Sequence, residues 1–245
     1  MRILLADALP DAAIDRLRAE GDDVELAPQL GTADLPGALG GVEALVVRST
    51  KVDAAAIDAA DHLGIIVRAG AGTNTIDCAR AAERAVFVCN VPGRNALAVA
   101  ELTIGLLLAV DRHIAVATAD LRAGRWNKRA HGAADGLFGR RLGIIGLGDI
   151  GMAVAERAAA FGMDVVAVAK ADRDEATVET AEDIGVSFVA DLDELLTTSD
   201  VVSIHVPSND ATRGMVDASF LAKLREGAIL LNTSRGDLVD AAALL

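Results

Sequence analysis

The sequence contains no tyrosine, one tryptophan and five phenylalanines, so aromatics make up only 2% of its 245 residues. Its core must therefore be aliphatic, built from the Ala, Val, Leu and Ile that dominate a hydrophobic content of 52%. A chain of this length buries about 70–75% of its unfolded surface and forms either one large α/β domain or two small ones. Cysteine is nearly absent. Cys78 and Cys89 form no C-x-x-C pair, which gives no sign of metal or redox chemistry and fits a reducing compartment. Cations are also in deficit: 23 Lys+Arg stand against 36 Asp+Glu, a formal net charge of −13. That balance argues against nucleic acid and anionic membranes as partners. Met1-Arg2-Ile3 runs straight into a strand-like segment, so no signal peptide is expected. The most apolar stretch, Ala96–Val110, is interrupted by Glu101 and Thr103 and is short for a membrane span. The expectation is a soluble cytoplasmic protein. In so acidic a chain, individual arginines become informative.

What is present is an alternation of short apolar runs with helical segments. Strands are expected at Ile3–Ala6, Val24–Leu26, Ala44–Val47, Ile65–Val67 and Val86–Cys89, with helices such as Asp11–Glu20 and Asp53–Ala60 between them. Pro92-Gly93 closes this region. A long helix from Ala96 to Arg112 follows, apolar around much of its circumference, which reads as a buried connector or a subunit interface. The alternation resumes at Leu142, with strands at Val165–Val168, Val186–Phe188, Val201–His205 and Ala228–Asn232. The pattern implies βαβ units and mainly parallel sheets, giving an α/β fold with two doubly wound domains, residues 1–94 and 95–245. A cleft between them is the expected active site.

One motif carries specific chemistry. The run Leu142–Ile145 ends in Gly146-x-Gly148-x-x-Gly151, followed by an alanine-rich helix and a second apolar run. This context points to a Rossmann dinucleotide site. Gly146 permits the turn, Gly148 lets a pyrophosphate approach the backbone, and Gly151 lets the helix lie on the sheet. Free amides at the helix start, around Asp149 and Ile150, then face the anion.

Several further segments fit the same picture. They are Val47-Arg48-Ser49-Thr50, Arg68–Asp77, Asn90–Ala96, Val99–Thr103, His205-Val206-Pro207 and Asn232-Thr233-Ser234-Arg235-Gly236. Together with the glycine turn, they resemble the D-isomer-specific 2-hydroxyacid dehydrogenases over nearly the whole chain. The resemblance implies a flavodoxin-like substrate domain followed by a Rossmann nucleotide domain. It implies hydride transfer between a nicotinamide cofactor and C2 of a 2-hydroxy or 2-oxo acid, with 3-phosphoglycerate the leading substrate. Glyoxylate or hydroxypyruvate reduction, or a non-catalytic nicotinamide-sensing role, are the alternatives. By this resemblance Arg235 binds the substrate carboxylate or C2 oxygen, a task that suits a planar, permanently charged fork; a surface salt bridge is the bland reading of it. Gly70, Ala71 and Gly72 form the substrate loop, Ala71 also facing the cofactor, and Asn95 lies at the cleft or simply caps a helix. Arg48 and Arg68 match positions near a substrate phosphate, against the alternative of solvated surface charge. Val206, Pro207, Thr233 and Ser234 line the cofactor. A homodimer is expected.

Two features depart from the family pattern at the cofactor. Asp149 puts a carboxylate beside the pyrophosphate, unfavourable unless it points away. The acid expected about 20 residues after the glycines, which accepts from the ribose hydroxyls, is replaced by Ala169 and followed by Lys170, with Arg173 near. This keeps NADP beside NAD, and Asp172 is the acid able to substitute. None of the four histidines takes the place of the family's proton donor: His205 reads as packed or cofactor-side, and His62, His113 and His131 as surface or segment-end residues. The resemblance places that donor and its carboxylate beyond Leu245. Asp240–Leu245 reads as the opening of another helix, and the strands after Leu142 fall one short of about six. The nucleotide domain is therefore expected to be incomplete, and the 245-residue chain to turn over little or no substrate.

Overall fold

The computed structural model describes residues 1–245, which form two compact units, Met1–Asn95 and Ala96–Leu245. The first contains β1 (Arg2–Leu5), α1 (Asp11–Ala19), β2 (Asp23–Leu26), α2 (Leu35–Ala38), β3 (Ala44–Val47), α3 (Ala54–Ala59), β4 (Ile65–Arg68), α4 (Cys78–Glu83) and β5 (Phe87–Cys89). Its strands are all parallel, in the order β2-β1-β3-β4-β5, the flavodoxin-like arrangement. Alternate residues of β1 serve opposite faces: Leu4 joins Leu45, Ile57 and Ile66 on one, and Ile3 and Leu5 join Ile14 on the other. The inner strands β1 and β3, covered on both faces, are apolar at nearly every position, which is why their runs were visible in the sequence. The edge strands β2 and β5 are largely exposed.

The second unit opens with α5 (Ala96–Asp111), α6 (Ile114–Arg122) and α7 (Lys128–His131). It continues through β6 (Arg141–Ile145), α8 (Asp149–Ala160), β7 (Asp164–Val168), α9 (Glu175–Asp183), β8 (Val186–Val189), α10 (Leu192–Thr198), β9 (Val201–Ile204), α11 (Ala218–Lys223) and β10 (Ile229–Asn232). The order β10-β9-β6-β7-β8, again parallel, is the nucleotide-binding arrangement. It has a topological switch point between β6 and β9. Leu142 and Ile144 pack under α5 and α8, while Ile145, Val202 and Ile204 pack on the face that carries α10 and α11. Gly143, between Leu142 and Ile144, has a packing reason. A Cβ there would stand 2.5 Å from Leu195 Cδ2 and 2.6 Å from Ser199 Oγ, so its absence lets α10 rest directly on the central strand.

The helix expected up to Arg112 ends at Asp111 because His113 takes a left-handed conformation, φ 54°. The chain then turns by 63° into α6. No single helix is long and apolar enough to cross a membrane. Residues 240–245 run as turns rather than as a helix, with the Asp240 carboxylate accepting from Ala242 N at 3.0 Å.

One polar contact is sunk into this aliphatic unit. The Asp111 side chain, 2% exposed, accepts from Arg140 Nη1 at 3.0 Å and from Gly136 N at 3.2 Å. Arg140 also donates to the carbonyl of Asp200 at 3.3 Å, tying the end of α5 to the start of β6 and the loop before β9. Removing one partner of a buried pair leaves the other charge uncompensated. Asp111→Ala should therefore destabilise the second unit by about 3–5 kcal/mol, read as a lower urea midpoint at unchanged slope. A loss below about 1 kcal/mol, the value of an exposed pair, would contradict it.

Candidate active site

The site of the second unit begins where β6 ends. Gly146 has φ 103°, and a Cβ on it would lie 2.8 Å from the backbone carbonyl of His205, so both its conformation and its crowding exclude a side chain. A Cβ on Gly151, in the first turn of α8, would collide with the carbonyl oxygen of Gly146. Helix and turn are thus in direct backbone contact. Gly148 is different: it precedes α8 with φ −84°, and a Cβ there would meet nothing within 4 Å. Its surroundings are open, which is the room an anion needs to reach the first amides of the helix. Ile150 turns its side chain onto the core. Asp149 is exposed and lines a neighbouring hollow with Asp174 and Thr177, not the cleft beyond the glycines.

That cleft, about 390 Å³, runs from Gly146 and Leu147 to Lys170 and Arg173 at the end of β7, with Val206 on its wall. Ala169 is exposed, and its backbone N–H continues the ladder to Val189 O at 2.8 Å. A glycine turn bared at a switch point, open space before a helix start and an adjoining cleft together fit a dinucleotide.

Beyond β9, His205 is held by Ser203 Oγ at 2.8 Å from Nε2, while its Nδ1 is buried without a partner. Burial pushes its pKa down to about 4, so the imidazole is neutral at ordinary pH. Val206 is half-buried and Pro207 exposed. Beyond β10, Asn232 clamps the turn that presents Arg235. Its Oδ1 accepts from Ser234 N at 3.0 Å, and its Nδ2 donates to Arg235 O at 2.7 Å. Ser234 Oγ donates to Ile204 O at 3.0 Å. Thr233 Oγ1 lies 2.9 Å from Thr103 Oγ1. Because Thr103 spends its proton on Val99 O at 2.8 Å, Thr233 is the donor of the pair and keeps its lone pairs for other partners. The exposed Arg235 side chain stands at the carboxyl end of the sheet, with Nη1 on Ser234 O at 2.9 Å.

In the first unit, the remaining residues also gather at carboxyl ends of strands. Arg48 follows β3, and Arg68 ends β4 with its Nε on Arg48 O at 3.2 Å. Gly70 makes room for this guanidinium, since a Cβ there would lie 2.6 Å from Arg68 Nη1. The loop over Ala71 and Gly72 is held by Asn90 Nδ2 on Ala71 O at 2.5 Å and by Val91 N on Gly70 O at 3.0 Å. Asn95 is exposed and directly precedes α5.

Three positioning residues went unassigned in the sequence reading: Asp7, Thr103 and Asn232. Asp7 Oδ2 accepts from the amides of Arg48, Ser49 and Thr50 at 2.7–3.0 Å. It does so at the switch point between β1 and β3. Partial burial works to raise the Asp7 carboxyl, but these amides outweigh it and hold the pKa below the ordinary value. The four histidines are also placed. His131 pairs with Asp120 at 2.9 Å and His62 with Asp61 at 3.1 Å, and His113 forms the bend before α6.

A depressed histidine pKa has a definite linkage sign. Above the unfolded value of 6.5 neither state binds the proton. Between 6.5 and about 4 only the unfolded state does, so stability falls as pH falls through that window. Ring-nitrogen NMR titration should place the His205 midpoint near 4, and a midpoint at 6 or above would contradict its burial as a neutral ring.

Comparison with known proteins gives these residues a lineage. Residues 104–245 match the model of the D-isomer-specific 2-hydroxyacid dehydrogenase NAD-binding domain. A hydroxypyruvate reductase of Thermotoga maritima is 47% identical over 204 residues, which span 83% of this chain and 64% of that protein. A D-3-phosphoglycerate dehydrogenase of Archaeoglobus fulgidus is 40% identical over 249 residues, 100% of this chain and 45% of its own length. The chain thus spans about half to two thirds of these relatives. The crystal structure of the TT0316 protein from Thermus thermophilus superposes with a TM-score of 0.88 at 37% identity, covering 100% of this chain and 77% of that one. Fold, glycine turn and family match agree: the chain belongs to the D-isomer-specific 2-hydroxyacid dehydrogenase family.

Proposed function

We propose that this chain serves hydride transfer between a nicotinamide dinucleotide and C2 of a 2-hydroxy or 2-oxo acid, with 3-phosphoglycerate as the substrate its arginines favour. The observation that carries the reading is that one sheet presents both a bared glycine turn and the clamped Arg235 at its carboxyl ends. Residues 95–245 hold the cofactor, and residues 1–94 supply substrate contacts. The open backbone at Gly148 and the amides of Asp149 and Ile150 receive the pyrophosphate. Val206, Pro207, Thr233 and Ser234 line the nicotinamide side. When bound, the dinucleotide supplies or accepts the hydride. Arg235 grips the carboxylate and draws negative charge onto the C2 oxygen. His205, its ring neutral and tied to Ser203 and its backbone carbonyl against Gly146, is not the proton donor.

Arg48 follows β3 and Arg68 ends β4 with its Nε on Arg48 O and Gly70 beside its guanidinium; with Ala71, Gly72 and Asn95 they supply the substrate contacts. The paired charge of the two arginines in a chain of −13 supports a phosphate-bearing acid. The Thermotoga relative, a hydroxypyruvate reductase, supports a second reading, an unphosphorylated acid. The two separate in one titration of the chain loaded with reduced dinucleotide. The ligands are hydroxypyruvate and the 2-oxo form of 3-phosphoglycerate, followed by quenching of nicotinamide fluorescence. Arg235→Gln should weaken both acids by about tenfold or more. Arg48→Ala should cost about tenfold for the phosphorylated acid alone. An unchanged affinity for it in Arg48→Ala would overturn the phosphate assignment.

The outward flank of α5 supports a homodimer. Leu102, Leu106 and Val110 are 41–56% exposed on it, and Ile114, Val116 and Leu121 extend the apolar surface along α6. Patches of this kind mark interaction surfaces. Light scattering after gel filtration should give the mass of two chains, reduced to one in Leu102→Glu; a wild-type monomer would contradict the proposal.

A further inference from the structure

The dinucleotide reading leaves open which dinucleotide is taken. We propose that the carboxyl end of β7 is a 2′-phosphate site, selecting NADP(H) over NAD(H), with Lys170 and Arg173 as its specificity-determining residues; this assignment rests on the dinucleotide reading.

Three observations carry it. First, the position from which a carboxylate would accept the ribose hydroxyls is Ala169, which has no acceptor side chain. Its backbone N–H is fixed to Val189 O at 2.8 Å, so the strand continues regularly to this point.

Second, Arg173 is ordered in advance. Its Nη2 donates to Val168 O at 3.0 Å, and its guanidinium carbon lies 5.0 Å from the centroid of the Phe188 ring. Arginine favours such an aromatic face. Only one of its donors is engaged, so the charged fork is immobilised on the cleft wall with donors to spare. A group already held in place loses less freedom when it captures an anion. Lys170, exposed on the same cleft, takes part in no ion pair, although many arginines and lysines near acids in this chain do.

Third, the neighbouring acids are accounted for. Asp174 is committed to capping α9, accepting from Thr177 N and Thr177 Oγ1, each at 3.0 Å. Asp149 lines the neighbouring hollow with it. Asp172 is the one carboxylate lining the cleft itself. It bonds to neither Lys170 nor Arg173, so both cations keep their charge for a ligand.

The test is an equilibrium titration of the 245-residue protein with NADPH and with NADH, followed by nicotinamide fluorescence, in the wild type and three variants. NADPH should bind at least about tenfold more tightly than NADH. Lys170→Ala, an exposed substitution that leaves the fold alone, and Arg173→Gln should each erase most of that preference while NADH affinity stays within about twofold. Asp172→Asn should leave the preference intact or sharpen it. The assignment is overturned if NADH binds as well as NADPH, or if Lys170→Ala and Arg173→Gln weaken both dinucleotides alike. It is equally overturned if Asp172→Asn selectively loses NADH, because Asp172 would then be the ribose acceptor. Failure of both dinucleotides to bind would instead remove the dinucleotide reading on which this one stands.

Discussion

The site of the second unit depends on one close approach, that of the first turn of α8 to the carbonyl of Gly146. No side chain fits between them, and none fits between Gly146 and the backbone of His205. The helix start is consequently driven onto the carboxyl end of the central strand, with its unbonded amides facing outward. Every other part of that site is arranged about this turn. The backbone carbonyl of His205 closes one side of it, and the cleft to β7 opens beside it.

The second organising feature is the placement of charge. In an acidic chain, the cations assigned to ligands stand at the carboxyl ends of parallel strands: Arg48 and Arg68 in the first unit, Lys170, Arg173 and Arg235 in the second. Uncharged and backbone groups help to position them. Arg173 rests on Phe188 and a carbonyl, Arg68 reaches the carbonyl of Arg48, and the turn that carries Arg235 is clamped by Asn232. Carboxylates nearby are turned to structural use. Asp7 gathers three amides and Asp174 caps a helix.

Much of this was legible in the sequence, for a physical reason. Inner parallel strands buried on both faces are apolar at nearly every position, so β1, β3, β6, β7 and β9 stood out. The largely exposed β2 and β5 showed only through their place in the alternation. The glycine turn sits in a strand-turn-helix setting that few other structures demand. What escaped reading depends on partners far along the chain. Asp7 meets residues more than forty positions away, and Thr103 meets Thr233 across 130. No local pattern announces either pairing. The bend at His113 was hidden because a left-handed histidine is a tertiary choice, and α2 and α7 are too short to show a period. The direction of Asp149 likewise follows from the packing of α8, which places its carboxylate beside a hollow rather than in the cleft.

The central claim, that a dinucleotide's pyrophosphate rests on the backbone at Gly148, is open to a direct measurement. Gly148 has an ordinary φ and empty space where a Cβ would go, so Gly148→Ala should leave the melting temperature unchanged while occupying the anion's place. Calorimetric titration of that variant with a nicotinamide dinucleotide should show affinity reduced by about tenfold or more. Wild-type affinity in a fully folded Gly148→Ala protein would contradict the account.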